Sequence, residues 1–359
     1  MVDENKCGAR HFLTAVLSSI FGRIDILFFG FLLAGQPAFA QAQHQHYSLS
    51  TTWARPMAMG GAFTAVADNL PALLYNPANF TLYGDQRTTR LSVFLNPIGL
   101  AAALREPEKL HGSEKVRTQE LASMLELFVH GLAFGNRSFQ IAALLGEEAP
   151  SETFSSRQNF LDASSYTKNQ HSLFAGRAMF ADRVAIGASV GVYYQETTNG
   201  REWGTGWSYG VTLLSGSNIR IGVSYWSFPD NMTEYLIKPE RLVHEAVNLG
   251  IAYKTKFGML LAFDVRNLGE EARRPVREVH VGIEQRFLPW LALRGGFFYD
   301  RQLQSELLSA GIGLIDQNLW RHARTQLQEP DWSVQYGIRL EKQDTRDAYY
   351  HALTFLVRM

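Results

Sequence analysis

From residue 87 to the end of the chain, apolar side chains fall at every second position in run after run. A period of two puts alternate residues on opposite faces of an extended strand. Between Val184 and Gln195, Val184, Ile186, Ala188, Val190, Val192 and Tyr194 share one face, while Ala185, Gly187, Ser189, Gly191, Tyr193 and Gln195 share the other. The same division recurs from Ile219 to Trp226, Met259 to Arg266, Glu278 to Arg286, Leu291 to Tyr299, Trp332 to Glu341 and Ala352 to Arg358. Turn-forming clusters separate the runs: Asp182-Arg183, Ser215-Gly216-Ser217-Asn218, Lys254 to Gly258, and Phe287-Leu288-Pro289. Counted this way, the chain offers about fourteen strands, the first near 88–96 and the last near 348–358.

Two architectures alternate like this, a soluble sandwich and a membrane barrel. Asp264, Arg266, Glu284, Arg286, Arg294 and Arg339 all lie opposite the apolar face, which suits a wet lumen as well as a solvated sheet face. Residues 1–40 tip the balance. Lys6, Arg10 and Arg23 precede an apolar core from Ile26 to Ala34, and Ala38-Phe39-Ala40 follows Pro37 as a small-x-small cleavage site. The apolar core is about half of the roughly 20 residues that span a bilayer as a helix. No later segment has 18 consecutive apolar residues. An exported chain with no spanning helix enters a membrane as a closed barrel, where every backbone group is paired.

Composition agrees. Aromatics make up 12% of the residues and charged residues 19%, as suits strands that meet lipid on one face and carry aromatic girdles. The formal net charge is zero and no basic run stands out, so nucleic acid is not an expected partner. The single cysteine, Cys7, lies in the segment expected to be removed. The expected fold is all-β: a transmembrane antiparallel β-barrel of about fourteen strands in the bacterial outer membrane, a single-chain barrel surrounded by lipid. Residues 1–40 form a signal peptide, 41–86 a short N-terminal hatch or plug, and 87–359 the barrel. Residues 98–125 read as a long connection with helical turns.

The most distinctive segment precedes the barrel. It runs Met59-Gly60-Gly61-Ala62, then an Ala-rich stretch ending in Asp68, then Tyr75-Asn76-Pro77-Ala78. Gly60-Gly61 allows a tight bend, small residues from Ala62 to Ala67 can pack in a confined space, and Asn76-Pro77 makes a rigid turn. Prolines and glycines make the segment too irregular for a strand pair, and its apolar content is too high for a solvated tail.

Residues 54–80 resemble the start of the mature barrels related to the FadL-type long-chain fatty-acid transporters, and look closest to the PorV/PorQ-like branch. The resemblance implies fourteen strands and a lumen blocked by an N-terminal hatch, with Gly60, Gly61, Asp68, Asn76, Pro77 and Ala78 as the hatch motif. Two departures stand out. The chain ends in Val357-Arg358-Met359 where these barrels commonly end in an aromatic, and Asn79 stands where the family usually has Gly. Asn tolerates the left-handed conformation that such a Gly would supply.

The polar lumen candidates are Asp264, Arg266, Glu278, His280, Glu284, Arg286, Arg294 and Arg339. Glu278 and His280 could form an acid/base pair, but lumen charges of this kind more often form a structural ion-pair ladder. His44-Gln45-His46 lacks a third metal ligand. Gly204-Thr205-Gly206 lies in a strand with no helix following, and there is no Gly-x-Ser-x-Gly elbow. No catalytic residue, metal or cofactor is therefore expected. The leading expectation is a barrel that binds or passes small hydrophobic molecules. The alternative is an accessory or shuttle protein of a type IX-like secretion machine, with secretion proteins as partners; an outer-membrane hydrolase comes third.

Overall fold

The computed structural model describes residues 44–48, 54–82, 89–97, 101, 128–148, 169–197, 200–216, 218–229, 245–268, 277–288, 290–300, 305–315, 331–342 and 347–358. The expected signal peptide, with Cys7 and its cleavage site, lies outside the described residues, as does nearly all of 98–125.

Fourteen strands form the wall: β2 (Arg90–Leu95), β3 (Val129–Gly135), β4 (Phe139–Glu148), β5 (Asn169–Phe180), β6 (Val184–Thr197), β7 (Gly200–Ser215), β8 (Ile219–Ser227), β9 (Glu245–Lys254), β10 (Met259–Arg266), β11 (Glu278–Leu288), β12 (Leu291–Asp300), β13 (Ser305–Ile315), β14 (Asp331–Lys342) and β15 (Asp347–Arg358). Each pairs with its sequence neighbours, and β15 returns to pair with β2, which closes the ring. The strand count read from alternation holds, because a period of two is what closing a wall between lipid and lumen demands.

At one end of the barrel, here the turn end, residues 136–138, 181–183 and 255–258 are tight turns, and links of three and two residues join β7 to β8 and β11 to β12. Asp182 and Ala181 take positive φ there, as the Asp182-Arg183 turn signal implied.

The faces separate as the sequence proposed. Ile186, Val190, Ile221, Val223, Ile251 and Val281 are exposed on the outside, and Ala185, Ser189, Ser224, Asn248, Asp264 and His280 are buried on the inside. Exposed aromatics stand near both ends: Phe180, Phe257 and Phe287 at the turn end, Trp203 and Tyr299 at the other. An apolar outer band between aromatic girdles is the surface of a membrane barrel.

The interior is not wet where it was expected to be. The segment 54–82 lies inside, and its residues Met59, Phe63, Leu70, Leu73 and Phe80 are almost fully buried. It consists of a short helix (Ala54–Ala58) and two 3-10 turns (Leu70–Leu74 and Pro77–Asn79), joined by a parallel bridge between Asp68 and Phe80. One part of the expected hatch behaves differently. Residues 44–48 form strand β1 (His44–Ser48), which pairs in parallel with Ala348–Ala352 of β15. Among the described residues, β2 and β15 pair at two positions, Val357 with Leu95 and Arg358 with Phe94. This leaves the upper edge of β15 open for β1. The sequence His44-Gln45-His46-Tyr47-Ser48 carries no apolar alternation, so nothing in it announced a strand.

Candidate functional site

Gly60 and Gly61 have φ of +61° and +74°, which turns the chain sharply after the helix at no steric cost. That bend lays backbone groups against strands β10 to β12, where the predicted lumen charges meet them. One carboxylate oxygen of Asp264 accepts from Phe63 N and Thr64 N, both at 2.8 Å. Arg266 donates to Gly61 O and lies over the Tyr75 ring at 4.9 Å. His280 Nδ1 donates to Gly60 O at 2.7 Å, and its Nε2 is 3.2 Å from the Glu278 carboxylate. The polar residues hold the segment.

The strongest node is Glu284. Arg55 from the segment donates to both of its carboxylate oxygens, at 2.7 and 2.9 Å. Arg294 donates to it at 2.7 Å, and Arg286 stands 3.7 Å away. Arg55 also reaches Asp68 at 2.6 Å. A bidentate arginine–carboxylate pair combines charge with fixed geometry. In a buried site, removing one partner leaves a charge uncompensated. Arg339, the last of the predicted lumen charges, is buried 4.2 Å under the Tyr350 ring. The expected ion-pair ladder along the wall is thus a clamp between wall and segment.

The opposite side holds the segment with amides. Asn76 caps the Pro77 turn by accepting from Ala78 N at 3.0 Å, and its Nδ2 donates to Thr64 O at 2.9 Å. Asn79 has ordinary negative φ, so the left-handed role expected for it is not the one it plays. Its Nδ2 donates to Thr64 O at 2.6 Å and its Oδ1 accepts from Thr212 at 2.8 Å. Arg177 donates to Ala78 O at 2.9 Å, and Trp226 Nε1 to Tyr75 O at 3.1 Å.

A ring of inward glycines makes these approaches possible. A Cβ built on Gly187 would stand 2.5 Å from Ala78 N, one on Gly282 2.6 Å from Met59 O, and one on Gly337 2.7 Å from Ala54 O. At Gly210, Gly222 and Gly296 the segment comes closer still. Across the strands Gly187 faces Gly210 and Gly282 faces Gly296. The sequence showed these positions only as a small-residue face. Arg55 and Arg177 were also missed as site residues. For Arg55 the available signal was a lone cation in a stretch, 54–67, that holds no other charge.

Away from the turn end, on β3 to β9, the lumen wall carries an apolar patch. Ala133, Leu144, Leu173, Trp226 and Ala246 pack with Leu70 and Leu73 of the segment. Phe228, half-buried, stacks on Trp226 at 5.7 Å and meets Tyr193 edge-on at 6.2 Å.

No family model matches the sequence, and no curated protein does. Among solved structures the fold is similar to the Ralstonia pickettii toluene transporter TbuX, with 13% identity and a TM-score of 0.47 over 87% of this chain and 97% of that one. The Pseudomonas putida toluene transporter TodX gives 13% identity and 0.46 over 88% and 98%. The CymD monoaromatic hydrocarbon channel gives 11% and 0.45 over 87% and 96%. Identities and scores at this level transfer no function.

Proposed function

We propose that this chain is an outer-membrane barrel that binds or passes small hydrophobic molecules, with the segment 54–82 as the barrier that such molecules must displace or bypass. The observation that carries this reading is the apolar wall on β3 to β9. There Phe228, Trp226, Tyr193 and Leu173 face the lumen and run on into Leu70–Leu74 of the barrier. Apolar side chains turned inward do nothing for insertion in lipid, whereas they offer an apolar solute a surface inside the barrel. The resemblance of residues 54–80 to FadL-type barrels points the same way.

A cargo-binding role at a secretion machine, suggested by the PorV/PorQ-like resemblance, would fall to the connections 149–168, 230–244 and 269–276. Those lie outside the described residues. The test is binding of N-phenyl-1-naphthylamine to the purified protein in detergent. Phe228→Ala should weaken it about tenfold, or roughly 1.4 kcal/mol, while the outward Val223→Ala leaves it unchanged. Equal binding by all three proteins would remove the apolar wall as the binding surface.

A further inference from the structure

Gly187, Gly210, Gly222, Gly282, Gly296 and Gly337 admit the segment to the wall, but two other inward glycines do not. Gly191 and Gly206 face each other across β6 and β7, and the atoms nearest to a Cβ built on either belong to the wall itself. At Gly191 that Cβ would stand 2.7 Å from Tyr193 Cε2, 2.9 Å from the Tyr193 hydroxyl and 2.9 Å from Leu173 Cδ2. At Gly206 it would stand 3.2 Å from the same Cε2. The Tyr193 ring therefore lies down along β6 and reaches over both glycines. Leu173 pairs with Gly191 on one side, and the Phe228 backbone stands beside Gly206 on the other. Tyr193 is buried and meets Phe228 edge-on.

We propose that this glycine pair sets the size of solute that the apolar wall accepts, by keeping the Tyr193 ring flat against the wall. The inference rests on the reading that this wall is the binding surface. Glycine inside a strand weakens it and marks a bulge or a close approach; here the group that approaches is the ring. A methyl group at 191 would need about 3.5–4.0 Å to the carbons around it. The atoms it meets are the tips of two side chains, so the ring lifts while the strand stays. Once lifted, the ring fills the space in front of Leu173 and Phe228, where a solute would lie. Gly206 is a poorer probe of this effect, because its nearest neighbour is the backbone oxygen of Ser227 at 2.5 Å. Gly191 is thus a positioning residue that acts through Tyr193.

The test compares N-phenyl-1-naphthylamine with 1-naphthylamine, the same fluorophore without its phenyl group, on the full-length protein in detergent. The readout is the ratio of the two dissociation constants, with heat-modifiable gel mobility showing that each barrel is folded. Gly191→Ala should weaken the larger probe about tenfold, the scale of one methyl group forced into a filled site, and the smaller probe much less. Adding Tyr193→Ala should reverse that shift, because the methyl group then has no ring to lift. Tyr193→Ala alone should move the ratio in favour of the larger probe. If Gly191→Ala does not fold, this single variant still decides, since a tyrosine that only lends contact area would weaken both probes alike when removed. Equal weakening of both probes by Gly191→Ala, or a shift that Tyr193→Ala leaves in place, would overturn the inference. A wild-type protein that binds neither probe would remove the apolar wall as a binding surface, and the inference with it.

Discussion

On strands β10 to β14 the lumen wall meets the segment 54–82 with charge. On β3 to β9 it meets the same segment with glycines, amides, apolar side chains and one arginine, Arg177, on a backbone carbonyl. The first half is directional. Asp264, Arg266, His280 and Glu284 each meet named groups of the segment in directed contacts, and a slip of one residue would leave all four unmatched in a buried interior. The second half is more forgiving, because apolar contacts keep most of their strength through small displacements. One side of the lumen therefore sets where the segment sits, and the other can give way to a solute without breaking a charge pair.

If that contrast is right, the largest effect comes from the charged half. Glu284→Gln keeps the shape of the side chain but leaves Arg55 and Arg294 buried without their counter-charge. We expect a loss of about 3–5 kcal/mol, read as a lower urea midpoint for conversion of the folded to the unfolded gel band. Adding Arg294→Met should recover part of it. A midpoint within error of wild type would mean that the clamp is decorative and the two halves are alike.

Steric displacement comes next. Gly296→Val drives a side chain into the Met59–Gly60 backbone and should cost about 1–3 kcal/mol. The segment should become open to chymotrypsin at Phe63 while the barrel band survives. The smallest effect belongs to Asn79. Asn79→Gly would be neutral or helpful if the position needed left-handed backbone. Because the amide bonds Thr64 O and Thr212 instead, we expect a loss of about 1 kcal/mol in the same unfolding assay.

Much of this was legible in the sequence. Strands β2 to β15 announced themselves because lipid on one side and packed interior on the other impose a strict two-residue period. Asp264, Glu284 and Arg294 could be placed on the inner face by the same count. What Asp264 and Glu284 do there could not be read, since their partners Phe63, Thr64 and Arg55 lie 200 to 229 residues away in sequence and no local pattern links them. Gly187, Gly210 and Gly296 looked like generic small positions. Their meaning appears only when the segment's backbone is seen to pass over them. Strand β1 was missed for a different reason. It is placed by an unfilled edge on β15, a property of the partner strand and not of His44–Ser48.

The account rests on the segment 54–82 closing the lumen, and single-channel recording in planar bilayers tests this most directly. The full-length protein should be nearly silent. A variant lacking residues 54–80, with its barrel shown intact by heat-modifiable gel mobility, should open steady steps of a size expected for an empty fourteen-stranded ring. An intact deletion variant as silent as the full-length protein would contradict the account, because the lumen would then be closed by something other than this segment.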